Sequence, residues 1–131
     1  MLGLKLGEAA VIRNAGGRVT PAMLRAMAML ARVGQASSDG RPPGDSHVVV
    51  LHHTGCGMAD LAAFPDVLAE FFEIPVSDLD AKAVTDPVAS VRVDLDVVKQ
   101  WLPAGVFVSG LVYDVATGLI ETVVPPARVQ P

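Results

Sequence analysis

Apolar positions fall into short runs and helical repeats, separated by clusters of glycine, proline and small polar residues. After the lead-in MLGLKLGE, residues Ala9 to Arg13 read as a strand, and Asn14-Ala15-Gly16-Gly17 as a turn. Thr20 is placed to cap a helix whose first turn holds Pro21. Met23, Met27, Leu30 and Ala31 follow at helical spacing as its buried face, and Gly34 should end it. Residues 35–46, QASSDGRPPGDS, predict an exposed loop rather than a linker, because neither flank alone could bury a core. Val48 to Leu51 is apolar at every position, the pattern of a central parallel strand covered on both faces.

A helical segment is predicted from Met58 into Phe72, broken at Pro65. Ile74 to Thr85 is ambiguous and receives no assignment. Asp86-Pro87 repeats the cap-and-proline signal. Val88, Val91, Leu95, Val98 and Leu102 then recur at steps of three and four, before Pro103 and Gly105 stop the helix. Val106 to Val115 reads as a strand interrupted by Gly110, Ala116-Thr117-Gly118 as a tight turn, and Leu119 to Val124 as an antiparallel edge strand. Pro125-Pro126 should close the sheet and leave 125–131 as a loose tail. The expected fold is α/β, a mostly parallel sheet flanked by helices and ending in a hairpin, in a single domain spanning 1–131. No internal repeat is visible.

Composition supports a packed core: 51% of residues are apolar and 18% charged, which argues against disorder. The net charge of −4 and the absence of a Lys/Arg stripe give nucleic-acid binding little electrostatic support. No apolar stretch approaches a membrane span, and the N-terminus lacks the layout of a signal peptide. One cysteine cannot form an internal disulfide, which fits a reducing compartment. A soluble cytoplasmic domain is expected.

Chemistry concentrates in VVVLHHTGCGM, Val48 to Met58, where an apolar strand delivers His53 and Cys56 in a His-x-x-Cys unit. In open α/β sheets the carboxyl end of a strand is where ligands sit, and imidazole and thiolate are zinc's preferred donors. Two donors do not hold a catalytic zinc. Taken alone, the pair is more often a packed cysteine beside a hydrogen-bonded histidine than a metal site; a Cys56 nucleophile with His53 as its base is the least supported reading, since no orienting third group is evident. His52 points the other way along the strand and reads as structural or as a group behind the metal ligands. Asn14, Gly16 and Gly17, between a strand and a helix, could bend the backbone around a pocket or hold an anion; Gly57 is a further pocket-lining candidate. Arg92, Asp94 and Asp96 read as a solvated helix face, and Tyr113-Asp114 as hairpin chemistry.

Taken together, VIRNAGGRVT (Val11 to Thr20), VVVLHHTGCGM, SVRVDL (Ser90 to Leu95) and VSGLVYDVATGLIETV (Val108 to Val123) resemble the β-class carbonic anhydrases, in the family's order and over nearly the whole chain. The resemblance implies a β-carbonic-anhydrase-like fold and a Zn2+ cofactor held by Cys, His and Cys, the last two falling on His53 and Cys56. It implies reversible hydration of CO2 to bicarbonate: zinc lowers the pKa of bound water to about 7, so hydroxide attacks at neutral pH. It also implies a homo-oligomer, a dimer or higher.

The chain departs from that pattern at its start. The family's Cys-x-Asp-x-Arg segment, with the first zinc cysteine and an Asp–Arg pair, precedes the region matching Leu2-Gly3-Leu4, where this sequence begins. The chain therefore reads as a truncated or mis-started form lacking the first central strand, between Ala9–Arg13 and Val48–Leu51, and the N-terminal helical arm. Gly55 stands where members of that family often carry aspartate. With two donors, zinc affinity should fall by several kcal/mol from the roughly 10–16 kcal/mol of full structural sites. An open strand edge should favour recruitment of another chain. The alternative expectation is a non-catalytic relative that serves association or small-anion binding.

Overall fold

The structure, a computed structural model, describes residues 2–37 and 46–131. Three helices, α1 (Pro21–Ser37), α2 (Pro65–Phe72) and α3 (Pro87–Lys99), accompany three strands, β1 (His47–His53), β2 (Phe107–Tyr113) and β3 (Ile120–Arg128). Short 3-10 helices cover Ala15–Gly17, Gly57–Ala63 and Val76–Lys82, the last within the stretch that periodicity left unassigned. The sheet order is β1-β2-β3, parallel between β1 and β2 and antiparallel between β2 and β3. The α/β architecture is as expected.

Both helix-start signals hold in atomic detail. Met23 N donates to Thr20 Oγ1 at 3.2 Å, and Val88 and Ala89 N donate to Asp86 Oδ1 at 3.0 and 3.1 Å. α1 continues to Ser37, past Gly34, so residues 35–37 of the expected loop are helical; residues 38–45 of that loop lie outside the described residues. Leu30 and Ala31, expected on the buried face of α1, are exposed; Leu24 is buried, with Met23 and Met27 packed partly against the core. α3 supplies Val91, Leu95 and Val98, which pack with Val50 of β1 and Val108 and Val112 of β2 in the principal apolar cluster. Gly110 lets α3 approach: an added Cβ would stand 2.3 Å from Val91 Cγ1 and 2.7 Å from Leu95 Cδ1. A second cluster, Met58, Leu68 and Phe72, is built by α2 and its flanking 3-10 helices.

Three expectations are corrected. Ala9–Arg13 forms no strand, because a strand needs a neighbour for its backbone and this segment has no ladder partner among the described residues. The sheet does not close at Pro125-Pro126, nor is the whole of 125–131 a loose tail: β3 runs to Arg128, and Val129 N donates to Val106 O at 2.8 Å. Val124 pairs with Gly110 and Ala127 with Val108, so the two prolines sit together opposite Ser109 in a bulge. Missing N–H groups are tolerated at such a place on an edge strand. Third, Asp94 is not on a solvated face. It is fully buried, whereas Arg92 and Asp96 on the same helix are exposed.

Candidate metal centre

β1 ends where its side chains alternate between two environments. His52 is buried and His53 is exposed, as period two dictates. Thr54 N still donates to Tyr113 O at 2.9 Å, holding the chain against β2. Gly55 then turns with φ +61°, and Cys56 becomes the N-cap of the Gly57–Ala63 3-10 helix. Thr54 Oγ1 accepts from Val115 N at 3.1 Å, which ties the turn to the end of β2. Buried Met58 anchors the far side in the second cluster.

His53 and Cys56 line one cavity of about 100 Å3, together with Gly16, Arg18, His52 and Ser90. His53 Nδ1 lies 2.7 Å from the Thr54 carbonyl oxygen. A carbonyl only accepts, so Nδ1 carries the proton and Nε2 presents a free lone pair. This is the backing that metal-ligating histidines have. Cys56 Sγ accepts from Met58 N at 3.4 Å, which fixes the sulfur at the head of the 3-10 helix. Of the glycines expected to line a pocket, Gly16 does so. Asn14, Gly17 and Gly57 stand outside that wall. Asn14 Nδ2 donates to Arg18 O at 2.6 Å, while the Gly17 carbonyl faces His52. Gly57 opens the 3-10 helix after Cys56.

Behind the cavity lies a buried network that local sequence patterns did not reveal. Arg18 donates to Asp94 through Nε at 2.8 Å and Nη2 at 3.1 Å, and through Nη2 to the Lys82 carbonyl at 2.7 Å. Its Cζ lies 4.9 Å from the centre of the Phe72 ring. Asp94 also accepts from Val19 N at 2.9 Å. His52 Nε2 lies 3.0 Å from Gly17 O and 3.3 Å from Asp94 Oδ2; both are acceptors, so Nε2 bears the proton. His52 Nδ1 lies 2.7 Å from Ser90 Oγ, whose hydroxyl is within donating distance of the Pro87 carbonyl at 3.1 Å. Burial pushes the Asp94 carboxyl up, but the hydrogen bonds from His52 and Arg18, the Arg18 charge and the Val19 amide together hold it below its ordinary value. His52 is therefore a fixed strut between α3, the Gly16–Gly17 turn and β1.

In kind, His53 and Cys56 suit zinc; in number they fall short. Among the described residues no group of three histidine, cysteine, aspartate or glutamate side chains could hold a metal ion, and Cys56 is the sole cysteine of the sequence.

Known proteins bear on this arrangement. No family model matches the sequence. Beta-carbonic anhydrase 1 of Mycobacterium tuberculosis is 34% identical over 134 residues, which span 95% of this chain and 73% of that protein; the Mycobacterium bovis protein of the same name matches equally. The crystal structure of carbonic anhydrase from Streptococcus mutans superposes with a TM-score of 0.63 at 35% identity, covering 93% of this chain and 70% of that one. Carbonic anhydrase from Glaciozyma antarctica gives 0.55 at 27% identity, covering 93% and 71%. With the strand-tip histidine and cysteine, the α/β sheet and this identity over nearly its whole length, the chain belongs to the β-carbonic anhydrase family.

Proposed function

We propose that the chain serves the zinc-dependent, reversible hydration of CO2 to bicarbonate, with His53 and Cys56 as two of the metal's donors. The remaining protein donor is not among the described residues. One observation carries the reading: two side chains of zinc-binding type share a cavity, His53 with its Nε2 lone pair free and Cys56 Sγ receiving an amide hydrogen. Two donors retain zinc weakly, so no hydration step is assigned to these residues alone. Its free thiol suits a reducing compartment, and we place the chain in the cytoplasm. Among the described residues no helix is long and apolar enough to cross a membrane.

A homo-oligomer is part of the same proposal. Ser46 O and Thr54 N bond to β2, so in a parallel ladder the backbone groups of Val49 face away from it. Those groups have no partner among the described residues, and Val49 is exposed. An apolar edge of this kind recruits another chain, and Val49→Lys should lower the mass found by sedimentation. An unchanged monomeric mass in both proteins would remove this part.

The functional test is CO2 hydration followed by stopped flow with zinc present, beside His53→Ala. A rate above that of the variant supports the enzyme reading. Matching rates would leave the second reading, a non-catalytic relative used for association or small-anion binding, which the want of a third donor among the described residues favours.

A further inference from the structure

A second cavity, of about 290 Å3, contains neither of the proposed zinc donors. α2 contributes Leu68 to it, the Val76–Lys82 3-10 helix contributes Val76 and Leu79, and the chain beyond that helix contributes Val84 and Thr85. Leu68 and Leu79 belong to the second apolar cluster, so core packing holds this part of the wall. Val76 stays 47% exposed, which leaves apolar surface open to solvent beside the cavity. A mostly apolar wall with few polar groups, at close to the lower limit of about 300 Å3, is the form that small-ligand pockets take. The polar side chains of the wall are Asp80 and Thr85. Both residues are exposed, and neither side chain has a hydrogen bond or ion pair among the described residues. α2 and the 3-10 helix together carry Asp66, Glu70, Asp78 and Asp80 against Lys82 alone, and Lys82 Nζ stands 5.4 Å from the centre of the Phe72 ring. The local field is therefore negative and draws in a cation.

We propose that this cavity binds a small organic cation, a primary ammonium on a compact aliphatic body. The body lies on Leu68, Leu79 and Val84, and the ammonium donates to the Asp80 carboxylate and the Thr85 hydroxyl. Hydrogen bonds from an ammonium to a carboxylate are charge-assisted, and an aliphatic wall takes the rest of the molecule out of water. Val84 and Thr85 also line the cavity of His53 and Cys56, so the two spaces share a stretch of wall. Binding of the cation does not rest on the proposed CO2 chemistry.

The test titrates three probes of one shape into the protein at neutral pH and constant ionic strength: cyclohexylmethylammonium, cyclohexylmethanol and cyclohexanecarboxylate. Backbone amide resonances are followed by NMR. Saturable shifts centred on Leu68 and residues 76–85 are expected for the ammonium, with a Kd on the order of 1 mM, which suits a ligand of this size. The alcohol should bind more weakly and the carboxylate most weakly. Asp80→Asn, at an exposed position, should weaken the ammonium about two- to fivefold, the range of an exposed ion pair, and leave the alcohol unchanged. Ala62→Phe, also at an exposed position of the wall, should fill the space and abolish binding of both. His53→Ala should bind the ammonium as the wild type does. The proposal is overturned by shifts that do not saturate, by the alcohol or the carboxylate binding as tightly as the ammonium, or by unchanged affinity in Asp80→Asn or Ala62→Phe. Weaker binding in His53→Ala would assign the ligand to the donor cavity and equally overturn it. A chain that binds the ammonium but hydrates no CO2 would retain this site while losing the enzyme reading.

Discussion

Asp94→Ala is the most informative single perturbation of this fold. The substitution removes the acceptor of contacts from Arg18 Nε at 2.8 Å, Arg18 Nη2 at 3.1 Å, Val19 N at 2.9 Å and His52 Nε2 at 3.3 Å. Arg18, 2% exposed, would keep only the Lys82 carbonyl and the Phe72 ring to compensate its charge. Breaking a buried pair in this way costs about 3–5 kcal/mol, against about 5–15 kcal/mol for the stability of a typical domain. With a urea slope near 2 kcal/mol per molar, the unfolding midpoint should fall by about 1.5–2.5 M. The control is Arg18→Met with Asp94→Leu, in which both charges are replaced by apolar groups. It should lose far less than Asp94→Ala, because no charge is left stranded. A loss below about 1 kcal/mol in Asp94→Ala would refute the argument. So would a double variant as unstable as the sum of the two single ones, since the residues would then not act as a pair.

Other outcomes follow from the same geometry. The Asp94 carboxyl is held below its ordinary value, so its contribution should be complete above the unfolded pKa of about 3.9 and be lost as pH falls through the lower folded value. Urea midpoints across the acid range should show wild type losing its advantage over Asp94→Asn only there; a constant gap would contradict the shift. Gly110→Ala should destabilise by at least about 1–3 kcal/mol, because its Cβ meets Val91 and Leu95 well inside contact distance. Calorimetry showing no loss would mean that α3 lies farther from β2. Gly17→Ala places a Cβ 2.7 Å from the Leu51 carbonyl oxygen at φ +64°, and should shift the His52 ring resonances as well as lower stability. Unperturbed His52 signals would show that this turn does not position the ring.

How much of this was legible in the sequence depended on whether the determining contact was local. α1 and α3 announced themselves through Thr20 and Asp86, whose caps are bonds to amides two or three residues away. The strand tip carrying His53 and Cys56 was legible for the same reason, since strand, turn and donors lie within a few residues. Asp94 was misread because charge was taken as exposure, although its spacing of three from Val91 and four from Val98 puts it on the buried stripe. Its partner Arg18 lies 76 residues away, beyond any local pattern. Ala9–Arg13 has a strand's composition, but pairing is a property of neighbours in space. Pro125-Pro126 would have stopped a central strand; on an edge strand a bulge absorbs them.

The central claim is that His53 and Cys56 are two donors of one zinc centre. Its most direct test is zinc affinity by chelator competition, compared among the wild-type chain, His53→Ala and Cys56→Ser. The account predicts measurable binding in the wild type, weaker than the roughly 10–16 kcal/mol of complete sites, and its loss in either variant. Equal affinity in all three proteins would contradict it.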